Sequence, residues 1–171
     1  GGLHWEEQGH ELYEGVVPEF FAVQFLDSQK GWLLDKGHYD RENDIHAHFL
    51  AHTMDGGASW EWVPTLIEGQ MGIGFRDVQG DVAFTDEQHG WAVGGLGEVI
   101  HTDDGGIHWE RQDFAEDWRR LYALEMLDNQ EGWIGGEGLF HTSDGGDHWT
   151  REDVDIGGDV QDIQFVDAQN G

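Results

Sequence analysis

One eight-residue phrase recurs along this chain, and its spacing constrains the fold more than any other feature of the sequence. Each complete copy starts with Thr, carries Asp two positions later followed by two glycines, and ends on Trp. The complete copies start at Thr53, Thr102 and Thr142. Residues 1–6 repeat the end of the phrase, as residues 105–110 do. A period of about 40 residues is typical of a propeller blade built from four short strands.

A second phrase, Asp-x-Gln-x-Gly-Trp, fixes the phase of the repeat. It starts at Asp27, Asp86 and Asp128, and its first residues recur from Asp167. Around these phrases, alternating apolar residues are separated by turn residues and glycines, which indicates four short strands in a row. The sequence therefore predicts an all-β fold: a β-propeller, or an arc of one, with four-stranded antiparallel blades and almost no helix. About four repeats are present, so we expect a part of a larger propeller.

The repeat also predicts the limits of each blade within this single propeller segment. Complete blades are expected at about 16–66, 77–113 and 121–152, and partial blades at 1–8 and 159–171. The tryptophans that end the repeated phrase should then occupy equivalent places in successive blades. These residues are Trp5, Trp60, Trp109 and Trp149.

The charge of the chain is unusual, with 36 acidic residues against eight basic ones and a net charge of −28. Adaptation to high salt explains this best, because dissolved ions shorten the reach of charge repulsion. Such a surface repels nucleic acid and anionic lipid. The absence of cysteine excludes disulfides and thiolate chemistry within the segment. No apolar run is long enough to span a membrane, and the sequence predicts no cofactor.

The repeated phrase resembles the Asp-box, or bacterial neuraminidase repeat, of β-propellers, whose usual form is S/T-x-D-x-G-x-T-W. The last Thr is replaced here by Ser59, His108 or His148. A short Asp side chain accepts hydrogen bonds from nearby backbone N–H groups, which closes the turn between the third and fourth strands of a blade. The resemblance implies that the boxes lie at the periphery, away from the ligand-binding face. We therefore interpret six boxed residues as structural rather than catalytic: Asp55, Trp60, Asp104, Trp109, Asp144 and Trp149.

Most of the eleven histidines follow the same repeat. Six of them occupy two repeated positions: His4, His52, His101, His108, His141 and His148. His38, His46 and His48 are not repeated and lie in an insertion of the first complete blade. His46 and His48 alternate as on a strand, so a divalent metal such as zinc is one interpretation. Because no closed set of ligands accompanies them, we prefer solvated loop histidines, and we expect no metal.

Antiparallel order predicts two different ends for each blade. The boxes mark one end, so the connections at the other end are the candidate functional face, where loops carry function on a fixed scaffold. Five of the eight basic residues fall in these connections together with three aromatic residues. Arginine and aromatic side chains suit a protein, peptide or anionic-ligand surface. The alternative is that each cation simply pairs with a neighbouring carboxylate. The candidate partner-binding residues are Lys36, Tyr39, Arg41, Phe75, Arg76, Trp118, Arg119 and Arg120.

The segment from Gly90 to Gly106 carries more than a generic Asp-box. A Gly-Trp-x-x-Gly strand precedes the Thr-x-Asp-Gly-Gly box, and the copy from Gly132 to Trp149 agrees. This combination resembles the photosystem II stability/assembly factor family. The resemblance implies a seven-bladed propeller that acts as a protein-binding assembly factor, and an extracytoplasmic location.

Two other classes of protein share parts of this pattern. Asp-boxes also occur in sialidases and xyloglucan-type glycoside hydrolases, which need an arginine cluster or a pair of facing carboxylates. In that alternative, Arg41, Arg76 and Arg119 would bind a carboxylate, Asp77 or Asp117 would be the acid, and Tyr39 the nucleophile. The remaining alternative is a structural module of a large secreted or cell-surface protein.

Overall fold

The computed structural model describes most of the chain, with gaps. The described residues are 20–35, 38–40, 45–47, 50–63, 66–67, 70–71, 80–94, 97–112, 114 and 120–165. Their regular structure is almost wholly β-strand, without an α-helix. They form three successive four-stranded antiparallel sheets, called blades 1 to 3 below. The predicted all-β propeller arc is therefore confirmed.

Blade 1 has the strand order β1-β2-β5-β6. Its strands are β1 (Phe20–Phe25), β2 (Gly31–Asp35), β5 (Leu50–Thr53) and β6 (Glu61–Val63). Between β2 and β5, the predicted insertion forms a separate antiparallel hairpin of β3 (His38–Asp40) and β4 (Ile45–Ala47).

Blade 2 is extended at its outer edge by residues that follow blade 1. Its four blade strands are β9 (Asp81–Phe84), β10 (Gly90–Gly94), β11 (Glu98–Thr102) and β12 (His108–Arg111). The short β7 (Leu66–Ile67) pairs parallel to β12 and antiparallel to β8 (Gln70–Met71). The sequence analysis took this stretch only as a connection between blades.

Blade 3 repeats the scheme with the order β13-β14-β15-β16. Its strands are β13 (Leu121–Met126), β14 (Gly132–Gly136), β15 (Gly138–Thr142) and β16 (Thr150–Arg151). The predicted blade limits, including the partial blades, remain a prediction. Residues 1–8 and 166–171 lie outside the described residues.

The core lies between the blades rather than within any one of them. Trp32 of blade 1 stacks on Phe84 of blade 2, with ring centroids 4.2 Å apart, and Trp109 meets the same ring edge-on. A second cluster joins blades 2 and 3 and includes the buried Trp91 and Leu124. A blade cannot bury its apolar faces alone, so each blade depends on its neighbour.

Hydrogen bonds between the first strands of neighbouring blades set their relative position. The Gln24 amide accepts from the Phe84 N–H at 2.5 Å and donates to the Phe84 carbonyl at 3.0 Å. Between blades 2 and 3, the Asp81 carboxylate accepts from the Leu124 N–H at 3.0 Å. The inner edges of the blades are therefore joined by side chains that bind backbone.

Candidate functional site

Each of the three described Asp-boxes is closed by the same hydrogen bonds. In blade 2, Asp104 Oδ1 accepts from the Thr102 hydroxyl at 3.0 Å and from the His108 N–H at 2.8 Å. The Thr102 oxygen in turn accepts from the Gly106 N–H at 3.0 Å. Blades 1 and 3 repeat this set within 0.1 Å of these lengths. The box carboxylates are thus occupied by their own turns, as the structural interpretation requires.

The departures from the usual motif also find their reason in these turns. Where the motif has Thr, the Ser59 hydroxyl donates to the second oxygen of Asp55 at 2.6 Å. The Nδ1 atoms of His108 and His148 stand 2.7 and 2.8 Å from the second oxygens of Asp104 and Asp144. A hydroxyl and an imidazole both provide the needed donor. These hydrogen bonds, led in blade 3 by the backbone N–H of His148, lower the pKa of the box carboxyls.

The second repeated phrase forms the turn between the first two strands of each blade. Asp86 Oδ1 accepts from the N–H groups of Gln88 and His89, both at 2.8 Å. Asp27 and Asp128 make the equivalent pairs of bonds. The hydrogen bonds to backbone hold the pKa of all three carboxyls below the usual range.

These two turns meet at one end of each blade, called the box end here. The N–H of the first box glycine donates to the Gln carbonyl of the first turn, at 2.8 Å for Gly56 and 2.9 Å for Gly105 and Gly145. At the other end of blade 3, the Glu137 N–H donates to the Arg120 carbonyl at 3.0 Å, and the Val160 N–H donates to the Gly136 carbonyl at 2.8 Å. Connections between blades therefore meet the turn between the second and third strands there. We call this end the loop face.

The structure brings only a small part of the predicted partner-binding set into view. Arg120 is exposed and lies at the loop face, directly before β13. Tyr39 lies on β3, opposite His46 of β4. The other predicted residues lie outside the described ones: Lys36, Arg41, Phe75, Arg76, Trp118 and Arg119. Their convergence on one surface stays a prediction.

The alternative enzyme and metal sites fall largely on the same undescribed segments. Asp77, Asp117 and the three arginines proposed for a hydrolase lie outside the described residues. Of the insertion histidines, His38 stands opposite Ala47 in the β3–β4 register, and His48 is not described. Among the described side chains, no three His, Asp or Glu are arranged to hold a metal ion. No helix in the described part of the chain is long and apolar enough to cross a membrane.

Comparison with known proteins decides the family. A sequence model of the family described as photosynthesis system II assembly factor YCF48 matches residues 67–171, more than half of the chain. The chain belongs to the Ycf48 family. The photosystem II assembly lipoprotein Ycf48 of Synechococcus sp. (strain CC9902) is 42% identical over 60 residues, which cover 33% of this chain and 18% of that protein. The chloroplastic stability/assembly factor HCF136 of Arabidopsis thaliana is 35% identical over 57 residues, covering 33% and 14%. The alignments thus span less than a fifth of these relatives.

Solved structures agree with the Ycf48 family assignment. A structure described as YCF48 bound to D1 peptide has a TM-score of 0.56 and 25% identity, and covers 78% of this chain and 40% of that one. YCF48 from Cyanidioschyzon merolae gives 0.55 at 19% identity, covering 78% and 37%. A GH74 enzyme from Niastella koreensis gives 0.53 at 14% identity, covering 82% and 23%. The last two likenesses show the fold alone.

Two clefts at the box end were not predicted from the sequence. The larger, of about 640 Å³, is lined by first-strand residues and turn residues of all three blades, among them Phe25, Phe84 and Met126. The smaller, of about 320 Å³, lies between blades 2 and 3 and is lined by His89, His101 and several aspartates. His89 departs from the repeat, where blades 1 and 3 have Lys30 and Glu131. That departure was the available signal for the smaller cleft.

Proposed function

We propose that this chain is a non-catalytic binding module, similar in role to the assembly factors of its family. It holds a protein or peptide partner on the loop face. The observation that carries the proposal is the Ycf48 family membership, supported by the likeness to a Ycf48 structure whose title names a bound D1 peptide. The scarce cations of the chain support the choice of face, because five of the eight fall in the loop-face connections.

The state of the box carboxylates argues against a catalytic use of the box end. Each box aspartate accepts hydrogen bonds from its own turn, and its lowered pKa keeps it ionised at neutral pH. A glycosidase needs one carboxyl with a raised pKa to serve as the acid. The likeness to the GH74 enzyme concerns the fold alone, so a hydrolase remains the less supported alternative.

On the proposed face, arginines would donate paired hydrogen bonds to carboxylates of the partner. Lys36, Arg41, Arg76, Arg119 and Arg120 would supply these bonds, and Tyr39, Phe75 and Trp118 the apolar anchors. An acidic partner patch is then expected, and binding should weaken as salt rises unless the aromatic contacts dominate. The relatives' names, a lipoprotein and a chloroplastic factor, support the further proposal of an extracytoplasmic location.

The test is recovery of partners by the full-length protein from its native organism, compared between wild type and Arg119→Ala/Arg120→Ala. We expect the double variant to lose most of the recovered partner. The single variant Arg120→Ala is matched with Lys30→Ala, which removes one cation at the box end. Equal recovery by all variants would overturn the choice of face. Release of sugar from a sialoside or xyloglucan by the wild type would instead favour the hydrolase.

A further inference from the structure

The repeat itself provides an internal comparison for one histidine. His52, His101 and His141 stand opposite the second-strand Trp in their blades. In blades 2 and 3 the two rings are in contact, with centroids 4.6 and 4.3 Å apart. In blade 3, His141 Nε2 lies 2.7 Å from a carboxylate oxygen of Glu131, so the polar end of the ring is paired.

Blade 2 replaces this pair with a different arrangement. The position of Glu131 is taken by His89, and the position of Ser143 by Asp103. Asp103 Oδ1 lies 3.4 Å from Nε2 of His101 and 3.7 Å from Nε2 of His89. His101 Nε2 is shielded from solvent and has no hydrogen-bond partner. Both substitutions therefore surround the one ring of this series that is left unpaired.

The tautomer of His89 explains why a donor is missing here. Its Nδ1 lies 2.7 Å from Asp86 Oδ2, a carboxylate that can only accept, so Nδ1 carries the proton. In the neutral ring, Nε2 then has a free lone pair and faces the Asp103 carboxylate, which is also an acceptor. Two acceptors that face each other are stabilised by a donor placed between them.

The cleft beside these atoms has room for such a donor. It measures about 320 Å³, and its far wall is the box turn of blade 3 with Asp144, Gly145 and Asp147. Its lining residues include three aspartates and no Lys or Arg. The Asp103 side chain is 74% exposed, so a group from outside can reach it. Charge and access both suit a cation carried on a flexible stem.

We propose that this blade 2–3 cleft binds a lysine or arginine side chain of a partner protein. The ammonium or guanidinium group would donate to the carboxylates of Asp103 and Asp147 and to Nε2 of His89. Side-chain cations carry three or five N–H donors, enough to serve these acceptors together. A metal ion suits the site less, because no three described ligands are arranged for one. The site lies at the box end and does not depend on the loop-face proposal.

The test uses the full chain labelled with ¹⁵N and a short peptide, acetyl-Gly-Arg-Gly-amide, as the probe. The Trp91 indole N–H donates to the Gly145 carbonyl at 2.8 Å beside the cleft, so its NMR signal reports on this site. We expect saturable shifts of the Trp91 indole and His101 ring signals with millimolar affinity. The same peptide with citrulline, which is neutral and of similar shape, should leave both signals in place. Added salt should weaken the effect of the arginine peptide.

Two variants make the assignment specific. Asp103→Asn is expected to weaken binding about two- to fivefold, the range for loss of one exposed charge pair. Asp153→Asn removes the same charge from the exposed loop after β16 and should bind as wild type does. If Asp103→Asn unfolds, Asp147→Asn replaces it, with the same expectation. Equal shifts with the citrulline peptide, equal affinities of Asp103→Asn and Asp153→Asn, or shifts spread over the whole acidic surface would each overturn the proposal.

Discussion

At the scale of single residues, the aspartates of this chain divide into two groups with opposite effects on stability. Box and turn aspartates accept hydrogen bonds from backbone N–H groups, which lowers their pKa. Asp81 is instead withdrawn from water, and burial raises its pKa to about 6 although it accepts from the Leu124 and Val82 N–H groups. Burial raises the pKa of Glu125 as well, assisted by the charges of Asp81 and Asp162.

The Asp-box carboxylate should be a measurable contributor to stability. We expect Asp104→Ala to lower the free energy of unfolding by about 1–2 kcal/mol, because the variant leaves the N–H of His108 and the Thr102 hydroxyl without their acceptor. Asp147→Ala removes an exposed carboxylate with the same change of charge and should stay within about 0.5 kcal/mol of wild type. Urea unfolding at pH 7 distinguishes them. An equal effect of both changes would mean that the box is not a structural clamp.

The raised pKa of Asp81 predicts a stability that falls as the pH rises. The folded chain binds more protons than the unfolded chain between about pH 4 and 6, because the pKa of Asp81 is about 6 when folded and near 3.8 when unfolded. Stability is therefore lost as the pH rises through that window, by at most about 3 kcal/mol from this group.

Asp81→Asn should reduce that slope, since the asparagine side chain does not titrate. Urea unfolding of both proteins at pH 4.5, 6 and 7.5 in constant salt measures the difference in slope. Asp86→Asn is the control of opposite sign, because its depressed pKa contributes stability that is lost only in stronger acid. Identical pH slopes for wild type and Asp81→Asn would contradict the assigned pKa.

At the scale of elements, the tight turn between β14 and β15 governs how the loop face is built. A side-chain carbon at Gly136 would lie 2.1 Å from the Arg120 carbonyl oxygen. The backbone of the preceding connection therefore approaches the turn more closely than any other residue allows. The Glu137 N–H donates to that same carbonyl, so this approach anchors the connection that carries Arg120.

Substitution of this glycine should separate the connection from the turn. We expect Gly136→Ala to cost about 2 kcal/mol or more, because the clash is with backbone, which cannot rotate away. Gly158→Ala is the matched control, since nothing lies within 4 Å of its added carbon. It should be neutral or slightly stabilising. Thermal melts of the three proteins in one buffer test this, and a Gly136→Ala variant as stable as wild type would refute the close approach.

The blades were predictable from sequence, and the reasons can be named residue by residue. Two phrases per repeat, such as those around Asp86 and Asp104, mark both turns at the box end, and alternation places strands between them. The outer β7–β8 hairpin was missed, because two-residue strands carry no periodicity. The contacts of Gln24 and Asp81 across blades were missed as well, since the repeat does not specify polar partners between blades. The candidate partner surface stays a prediction, since six of its eight residues lie outside the described ones.

At the scale of the whole molecule, one apolar edge points to a larger propeller. Phe25 occupies the position in β1 that Phe84 occupies in β9, where Trp32 of the preceding blade stacks on it. Phe25 and Val23 are instead 44% and 59% exposed among the described residues. We expect a further blade to cover this edge, because each other blade boundary in the arc is closed by such aromatic and aliphatic contacts.

The net charge of −28 predicts that the fold depends on salt. At low ionic strength the acidic side chains repel one another across the surface, and in molar salt the reach of repulsion falls to about 3 Å. We expect the melting temperature to rise steadily between dilute buffer and 2 M KCl. Calorimetry across this series measures it. A melting temperature that does not change would remove the argument for adaptation to salt.

The central claim is that the loop face, rather than the box end, holds the main partner. Hydrogen–deuterium exchange of the full-length protein, alone and with the partner recovered from the native organism, tests it most directly. We predict slower exchange in the connection before β13, around Arg120, and in the turn at Gly136–Gly138, with unchanged exchange in the three box turns. Protection confined to the box turns, with the segments around Arg120 and Gly136 unaffected, would contradict the claim.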